Sequence, residues 1–404
     1  MEIKYINNDR ELGIEYDWRA IKKVYESLGV PEEYDLIPWK ALSQDKYIME
    51  LSERSIGKTT CWLLLGCCMN KLYKTTIQYI RASENMLAPS HAEKLVEVLR
   101  SYKEGEYIRK LTDGKYNSIS YHWKQFYYSN IDENGKLIER SEEPLIQCLS
   151  IDKCGDYKSS YNTYLSRGDF VLFDEFIGTY YRPLEAINFF DLLKTIFRNR
   201  ISGVVVMLAN TINLNSQYFE EFEISRAVKQ LHKGDKREIV TERGTRIYIE
   251  ILDVKRTSSK RSLMNELFFG FKNPRLSAIT GGEVWAFDSV PHIPPKSEQT
   301  GRRCILYNIY AEIGIELLKI ELVEDDKLGA HLEIHRASKV YDDSIILTLG
   351  ELKDKRYVYG FGVGRLNTIL AKYINERKVL YSSNEVGSIF KDYIHRYKIE
   401  RGAY

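Results

Sequence analysis

The sequence predicts an α/β protein with a mostly parallel β-sheet flanked by helices, followed by a smaller α+β domain. Three observations support this fold class. Short apolar runs typical of buried strands alternate with helical segments over roughly residues 45–255. A Gly-Lys-Thr loop joins one of these strands to an apolar helix. Beyond a proline-containing segment, apolar and polar residues alternate with a period of two, as in half-buried strands.

Strands and helices alternate in the first part of the chain. A short helix is predicted at 17–29, where Gly29 ends it. Residues 103–150 carry short alternating runs, and Asn134-Gly135 between them indicates a β-hairpin. Buried strands are predicted at 47–51, 75–80, 170–173, 203–209 and 247–252, and helices at 61–72, 92–100 and 184–197.

The C-terminal part has a different pattern. Residues 226–261 carry eleven Lys and Arg against five Asp and Glu, and residues 288–303 hold three of the nine prolines, as in a linker. Alternation over 305–315 indicates a strand or hairpin, and residues 366–374 and 386–397 are predicted as helices. These changes predict an α/β domain at 1–256, a basic, proline-containing linker at 257–302 and an α+β domain at 303–404.

Composition limits the classes of function. With 404 residues, of which 44% are hydrophobic and 29% charged, the chain is expected to bury sizeable cores. The formal net charge is 59 − 57 = +2, so binding to nucleic acid needs a local patch or a ring of subunits. The six cysteines lack metal-ligand spacing, the longest apolar run has nine residues, and no signal-peptide pattern opens the chain. We therefore expect an intracellular protein without membrane contact.

The most specific motif runs from Ser52 to Thr59, between a predicted strand and a predicted helix. Backbone N–H groups of such a loop, together with the helix N-terminus, cradle phosphates. Lys58 is then expected to reach the β- and γ-phosphates, and the Thr59 hydroxyl to bind Mg²⁺. Gly57 permits close approach of the backbone, but Ser52 stands where the P-loop pattern has its first glycine. Alone, the tripeptide also fits an ordinary helix start capped by Ser or Thr.

A second motif is the apolar strand at 170–173, which ends in Asp174 and Glu175. Asp174 is placed to hold Mg²⁺ through water and Glu175 to polarise the attacking water, whereas two acids capping a turn are the alternative. A third strand ends in Asn210, which either senses the γ-phosphate or closes a turn. No guanine-reading Asn-Lys-x-Asp motif occurs, so ATP is the expected nucleotide. The predicted nucleotide-binding residues are Ser52, Glu53, Arg54, Ser55, Ile56, Gly57, Lys58, Thr59, Thr60 and Asn210.

These motifs resemble those of the DNA encapsidation ATPases of small podoviruses, which are relatives of the large terminase subunits. Arg54 lies three residues before Gly57, as in the deviant Walker A loop of viral packaging motors. Residues 174–177 (Asp-Glu-Phe-Ile) resemble their Walker B motif, and residues 197–200 (Phe-Arg-Asn-Arg) resemble the segment with the trans-acting arginine finger. The strand at 79–81 (Tyr-Ile-Arg) and the sensor strand at 208–210 (Leu-Ala-Asn) also match. The resemblance covers roughly residues 45–255.

The resemblance implies an ASCE-type P-loop ATPase that uses ATP and Mg²⁺ to move double-stranded DNA through the portal into a preformed procapsid. It implies a homo-oligomeric ring, expected to be a pentamer. The ring is expected to act in the host cytoplasm and to dock on the procapsid, either directly or through an RNA or protein adaptor. The catalytic residues so implied are Lys58, Arg54, Glu175 and Arg198, with Arg200 as the next candidate for the finger and Thr59 and Asp174 as metal residues. Another DNA-translocating ring ATPase, such as a helicase or transfer motor, is the alternative. A non-enzymatic structural protein with an accidental P-loop is a further one.

For the C-terminal domain the resemblance implies an RNase H-like nuclease fold. Active nucleases of this type hold two metal ions with clustered acids. Glu312 and Glu316, or Asp342 and Asp343, are available, but neither pair is joined by a third acid to form a triad. We therefore expect a vestigial nuclease that binds nucleic acid or the portal, and a terminase with an active nuclease is the alternative.

Overall fold

The computed structural model describes most of the chain, in two compact units. The first unit contains the described residues of 1–178, 184–211 and 230–259, and the second contains those of 179–183, 212–229 and 260–404. The predicted boundary at residue 256, and residues 257–289 and 300 of the predicted linker, lie outside the described residues. The described residues are 5–8, 11–31, 35–52, 57–159, 169–178, 181–198, 200–210, 216–253, 290–299, 301–341, 343–362 and 364–401.

Strands and helices alternate along the first unit. Its strands are β1 (Tyr5–Asn8), β2 (Glu11–Ile14), β3 (Tyr47–Ser52), β4 (Ile77–Arg81), β5 (Ser118–His122), β6 (Gln125–Ile131), β7 (Leu137–Arg140), β8 (Ile146–Ser150), β9 (Phe170–Asp174), β10 (Val204–Asn210), β11 (Lys236–Val240) and β12 (Arg246–Ile251). Its helices are α1 (Trp18–Ser27), α2 (Trp39–Leu42), α3 (Lys58–Tyr73), α4 (Pro89–Leu95), α5 (Glu97–Ser101), α6 (Glu106–Leu111), α7 (Cys154–Ser159) and α8 (Glu185–Phe197). Short 3₁₀ helices span Glu84–Leu87, Tyr102–Glu104 and Ile151–Lys153.

A ten-stranded sheet forms the centre of the first unit, in the order β11-β12-β3-β10-β9-β4-β8-β6-β5, with β7 paired to β6. The neighbouring strands from β12 to β8 run parallel, whereas β11, β6, β5 and β7 are attached antiparallel. The parallel strands are apolar along their length because both faces of the sheet are covered. The predicted α/β class with a mostly parallel sheet is confirmed.

Helix α3 is buried on nearly all of its faces, as the apolar run at 61–72 predicts. It packs closely on the sheet at Gly66, where an added Cβ would lie 2.6 Å from Ile77 Cδ1. Its position directly after β3 brings the helix N-terminus to the carboxyl edge of the parallel strands. That edge is where open α/β sheets bind ligands.

Two local details differ from the sequence prediction. The helix predicted at 92–100 is divided into α4 and α5, because the backbone leaves the helical region at Val96 (φ −102°, ψ 3°). The Asn134-Gly135 hairpin joins β6 to β7 as expected, with Gly135 at φ 78°. The β5–β6 hairpin, however, turns at Trp123 and Lys124, with φ of 51° and 63°. Left-handed φ at both turn positions normally calls for Asn and Gly, so no turn signal marked this site.

The second unit contains a six-stranded sheet in the order β17-β16-β13-β14-β15-β18. The strands β13, β14 and β15 form an antiparallel meander, and β16, β17 and β18 are added in parallel pairings. The strands are β13 (Arg303–Ile313), β14 (Glu316–Asp325), β15 (His331–Arg336), β16 (Ile346–Thr348), β17 (Tyr357–Tyr359) and β18 (Val379–Tyr381), and the helices are α9 (Gln217–Glu221), α10 (Ser225–Lys229), α11 (Arg365–Asn375) and α12 (Asn384–Glu400).

One face of this second sheet is apolar and packs against α11 and α12, through residues such as Ile320, Leu370 and Phe390. The opposite face of β14 and β15 includes ionisable side chains such as Lys319, Glu321 and Glu333. Helix α9 belongs to this unit as well, where Glu220 pairs with Arg396 at 3.2 Å. No helix in the described part of the chain is long and apolar enough to span a membrane.

Candidate nucleotide site

The candidate site lies at the carboxyl end of β3, where the chain enters α3. Ser52 ends β3 and is buried, and Gly57 precedes the helix at φ 92°, in the left-handed region that glycine tolerates. The first-turn N–H groups of a helix are the donors that proteins use for phosphate. The predicted loop residues Glu53, Arg54, Ser55 and Ile56 lie outside the described residues.

Two neighbouring residues at the start of α3 link the loop to the sheet. Lys58 is buried, and its ammonium donates to the Ser52 hydroxyl. The Thr59 hydroxyl donates to Asp174 Oδ1 over 3.2 Å, which joins the loop motif to the end of β9. Adjacent hydroxyl and carboxylate oxygens are ligands that Mg²⁺ accepts, and a buried ammonium suits a phosphate. These residues therefore fit a nucleotide with its magnesium ion.

A single arginine on β4 holds both acids of the second motif. Arg81 contacts Asp174 Oδ2 at 3.1 Å and Glu175 Oε2 at 2.6 Å. The Tyr79 hydroxyl donates to Asp174 Oδ2 at 2.9 Å. Burial and the Asp174 charge raise the pKa of Tyr79 well above its ordinary value, so its hydroxyl stays a donor. Sequence reasoning did not include Arg81 or Tyr79 among the site residues, because nothing local shows that β4 lies beside β9.

The backbone at Glu175 is strained. Its φ of 55° is uncommon for a residue with a side chain and costs about 1–2 kcal/mol. Its carboxylate is held by Arg81 in this conformation, although nearly half of the side chain is exposed. A strained acid that is held by one ion pair can move when that pair is exchanged.

A buried acid that the sequence analysis did not single out lies within β3. Glu50 is fully buried and accepts a hydrogen bond of 2.8 Å from Trp62 Nε1 in α3. Burial is the main cause that raises the pKa of Glu50 to about 8. Its other oxygen, Oε1, is buried and has no hydrogen-bond partner among the residues that the structure describes. The carboxyl is therefore protonated at neutral pH, and its hydrogen bond to Trp62 joins β3 to α3.

The other predicted nucleotide residues lie close to the loop. Asn210 ends β10 and is paired in register with Ser52, so the predicted sensor stands beside the start of the loop. Thr60 is half-buried in the first turn of α3. The residue after Asn210 lies outside the described residues.

The two candidate finger residues lie at the opposite edge of the same sheet. Arg198 caps α8 and is exposed, whereas Arg200 is mostly buried and pairs with Asp169 at 2.7 Å. The next residue, Ile201, accepts a hydrogen bond from Lys46, just before β3. The six residues of β3 therefore separate this segment from Ser52, a distance of about 20 Å at about 3.3 Å per residue.

The acids predicted in the C-terminal part do not converge. Glu312 contacts Lys353 and accepts from the Tyr357 hydroxyl at 2.8 Å, and Glu316 contacts Lys229 and Arg336. Asp343 is exposed, and Asp342 lies outside the described residues. Among the described residues, the acids that do approach one another are Glu321 and Glu333, together with His335.

Comparisons with known proteins agree with this fold. No family model matches the sequence, and no curated protein matches it. A chain of the bacteriophage Phi-29 viral genome packaging motor assembly matches 89% of this chain and 99% of its own length, with a TM-score of 0.50 and 18% identity. The chain shares this fold. The Phi-28 gp11 DNA packaging motor matches with a TM-score of 0.49 and 13% identity, covering 91% of this chain and 99% of that one.

The ATPase domain of a Thermus phage large terminase also matches, with a TM-score of 0.36 and 14% identity over 64% of this chain and 96% of that domain. The resemblance to packaging ATPases that the motifs indicate is thus confirmed as a likeness of fold, which rests on the Phi-29 match.

Proposed function

We propose that this chain is an ATP-hydrolysing motor that moves double-stranded DNA into a preformed viral capsid. The observation that carries the proposal is the contact between Thr59 of the Gly-Lys-Thr loop and Asp174 of the acidic strand end. It brings a phosphate-binding loop and a pair of acids to one edge of a parallel sheet. The likeness of fold to a chain of the Phi-29 viral genome packaging motor assembly also supports it.

In the proposed nucleotide-bound site, Lys58 exchanges the Ser52 hydroxyl for the β- and γ-phosphates. Thr59, and Asp174 through water, would hold Mg²⁺, which would supply positive charge against the phosphate oxygens. Arg54 adds a second cation from the loop, since a guanidinium can bind the γ-phosphate through two N–H groups. Asn210 is the proposed sensor of the γ-phosphate.

Glu175 is the proposed general base, which accepts a proton from the water that attacks the γ-phosphorus. Arg81 binds the same carboxylate, and it also binds Asp174. In the proposed mechanism Glu175 exchanges its contact with Arg81 for the attacking water when nucleotide binds. The pairing of Arg81 with both acids corresponds to a resting state of the site.

Arg198 is the proposed residue that completes the site of a neighbouring copy. Its distance from Ser52 within one chain makes action on the same nucleotide unfavourable, whereas a ring can place it against the next γ-phosphate. A finger of this type contributes about 10³–10⁵ in rate. When Arg198→Ala and Glu175→Gln chains are mixed, rings with one working base and one working finger should recover activity. Mixed rings no more active than the separate variants would contradict this role.

The remaining parts of the proposal come from the resemblance and from the shared fold. The motor is a homo-oligomeric ring, and a pentamer is its proposed size. In the host cytoplasm it docks on the portal of the procapsid, directly or through an RNA or protein adaptor. The proposed domains are an ATPase at 1–256, a linker at 257–302 and a vestigial RNase H-like nuclease at 303–404. In the second unit, pairing of Glu312 and Glu316 with basic residues supports a loss of nuclease activity.

The proposal is tested by packaging in solution. Purified chain, portal-bearing empty shells, ATP and double-stranded DNA are mixed, and the DNA that survives added nuclease is measured. Protection is expected with the intact chain and absent with Glu175→Gln. DNA-stimulated hydrolysis without protection in the presence of shells would favour a different DNA-translocating ATPase, and the absence of hydrolysis would favour a structural protein.

A further inference from the structure

A buried carboxylate holds the segment that follows α8. Asp169 stands immediately before β9, at the end of that strand opposite to Asp174, and it is almost fully buried. Its Oδ1 pairs with Arg200 Nε at 2.7 Å. Its Oδ2 accepts from the Tyr16 hydroxyl at 3.1 Å and from the Ser202 hydroxyl. Both oxygens are thus used to hold groups from other parts of the first unit.

The same segment is fixed by further hydrogen bonds. The Arg200 guanidinium also donates to the Ile196 carbonyl at 2.7 Å, in the last turn of α8. The Ser202 hydroxyl accepts the Ile14 backbone N–H at 3.0 Å, and the Lys46 ammonium donates to the Ile201 carbonyl at 2.8 Å. The segment 200–202 is therefore tied to α8, β2 and the start of β3.

The backbone of the segment lies close against β9. Gly203 has φ 114°, and an added Cβ there would lie 2.5 Å from the Asp169 carbonyl oxygen. The Val204 N–H donates to that same carbonyl at 2.9 Å. A larger residue at 203 would push the segment away from the strand, so the close approach is part of the same arrangement.

This packing turns alternate side chains in opposite directions. Arg200 and Ser202 face inward to Asp169, whereas Ile201 is exposed between them. Arg198 is exposed too, and its backbone has φ 46°, uncommon for a residue with a long side chain. Its N–H still bonds to the Lys194 carbonyl at 3.0 Å, so the helix end holds it from the other side.

Burial makes the members of this network depend on one another. The pKa of Tyr16 is raised well above its ordinary value, mainly by burial and then by the Asp169 charge, so its hydroxyl remains a donor. Removing one partner of a buried ion pair leaves an uncompensated charge, which is far more costly than the pair itself. The pair of Asp169 and Arg200 is therefore expected to persist whatever happens at the nucleotide site.

We propose that Asp169 and Arg200 are positioning residues that hold Arg198 at the surface for the site of a neighbouring copy. This inference rests on the proposed function, in which Arg198 is the finger, and it assigns Arg200 to anchoring rather than to the finger role. A reacting group displaced by about 1 Å can lose about 10²-fold in rate. A finger on a helix end needs such an anchor, because its own side chain is long and exposed.

The test is a double-mutant cycle on the full-length chain, with DNA present and at ring-forming concentration. Asp169→Asn is expected to lower kcat about 10- to 100-fold and to leave KM for ATP within about twofold, because the nucleotide site of the same chain lies at the other end of β9. Arg198→Ala is expected to lower kcat about 10³-fold or more. In the Arg198→Ala background, Asp169→Asn should have almost no further effect.

Two milder variants guard against loss of folding. Tyr16→Phe removes one hydrogen bond to Asp169, and Arg200→Lys keeps the charge while losing the fork that also reaches Ile196. Both are expected to show intermediate kcat with normal nucleotide affinity and a thermal midpoint close to that of the intact chain. Arg109→Ala, at an exposed site on α6, is the matched control and should change nothing.

The outcomes separate the two claims. Absence of hydrolysis in the intact chain would overturn the proposed function and this inference with it. Full activity of Arg198→Ala in an otherwise active motor would overturn the finger role of Arg198, and therefore this inference, but not the proposed function. A slow Arg198→Ala combined with fully active Asp169→Asn and Arg200→Lys would overturn the positioning role alone. The positioning role would also be overturned if Asp169→Asn lowered kcat by the same factor in the intact chain and in the Arg198→Ala chain.

Discussion

Acidic residues occupy two kinds of position in this protein. In the first unit, Asp174 and Glu175 stand at the end of a parallel strand and share one arginine, Arg81. In the second unit, Glu321 and Glu333 lie within β14 and β15, directly opposite each other. A lysine, an arginine and two histidines surround that second pair. The two acids of the first pair share a single cation, whereas each carboxylate of the second pair has a basic partner.

In both units two acids lie close together, so their number does not distinguish the two places. Their position does, because one pair ends a strand and the other lies within two strands. A strand end lies at the edge of the sheet, where open α/β sheets bind ligands, so acids there are placed to meet a ligand. An acid within a strand is fixed by its neighbours on both sides. Glu50 is a third case, within a strand, and no basic side chain among the described residues is hydrogen-bonded to its carboxyl, which burial keeps protonated.

The largest effect is expected at the strand end and the loop. Lys58→Ala should weaken ATP binding and abolish hydrolysis, because the ammonium is the main charge near the γ-phosphate. Glu175→Gln should keep ATP binding and lower kcat about 10²- to 10⁴-fold, because only the base is removed. Fluorescent-nucleotide titration and steady-state hydrolysis measure the two properties. Equal loss of ATP affinity in both variants would contradict the assigned roles.

For the acids within strands of the second unit, we expect substitutions to lower stability and to leave DNA cleavage unaffected. Burial would raise the pKa of Glu333, but hydrogen bonds from His331, His335 and Arg303 outweigh it and lower that pKa well below its ordinary value. Glu333→Gln should lower the free energy of unfolding by about 3 kcal/mol, since it breaks a buried pair. Urea unfolding of the full chain measures this loss, and Glu324→Gln, at an exposed position of β14, is the control.

The loss of unfolding free energy in Glu333→Gln should depend on pH, because the pKa values of Glu333 and His331 are shifted in opposite directions. The lowered pKa of Glu333 gives stability that is present above about pH 4.3 and lost as the pH falls. The raised pKa of His331, caused first by its hydrogen bond to Glu333, gives stability that is present below about pH 6.5 and lost as the pH rises. The difference between intact and Glu333→Gln chains should therefore be greatest between these values. A difference that grows steadily up to pH 9 would contradict the network, and metal-dependent DNA cleavage that Glu333→Gln removes would overturn its structural role.

A smaller effect is expected at the shared arginine. Arg81→Met removes the cation that competes with Mg²⁺ for Asp174, so the affinity for Mg²⁺-nucleotide should rise about tenfold, or about 1.4 kcal/mol. Titration of Mg²⁺ at constant nucleotide concentration measures it. Arg140→Met on β7 serves as control. Unchanged or weaker Mg²⁺ affinity in Arg81→Met would mean that the arginine does not hold the acids in the resting state.

A pH-dependent effect on stability, separate from activity, is expected from the protonated acid in β3. Because the pKa of Glu50 is raised to about 8, the folded chain retains a proton that the unfolded chain releases above about pH 4.3. The free energy of unfolding should therefore fall as the pH rises between these values. Glu50→Gln keeps the shape, removes the proton and should flatten that fall. An unchanged slope in Glu50→Gln would show that Glu50 is ionised in the fold.

The sequence was most informative where the signal is local. Spacing alone predicted that Ser52, Lys58 and Thr59 lie between a strand and a helix, and that Asp174 ends another strand. Contact between these motifs then follows from a parallel sheet, since carboxyl ends of strands share an edge. The roles of these residues stay predictions. For Glu50 a signal existed, because it is the one charged residue of an otherwise apolar strand.

The features that sequence reasoning missed depend on the order of strands and on register. Arg81 reaches Asp174 because β4 lies next to β9, which no local pattern states. The sequence predicts Arg200 as the next finger candidate, which stays a prediction, and no local pattern shows that Arg200 meets Asp169, because that contact depends on β9 and β10 being neighbours. Period-two alternation predicted the strand at 305–315, yet only the register between β14 and β15 sets Glu321 opposite Glu333.

The most direct test of the account is the rate of ATP hydrolysis by the purified full-length chain as linear double-stranded DNA is added. The account predicts Mg²⁺-dependent hydrolysis that DNA stimulates, and that falls to background in Glu175→Gln although this variant still binds ATP. An intact chain that hydrolyses ATP no faster than Glu175→Gln at any DNA concentration would contradict it.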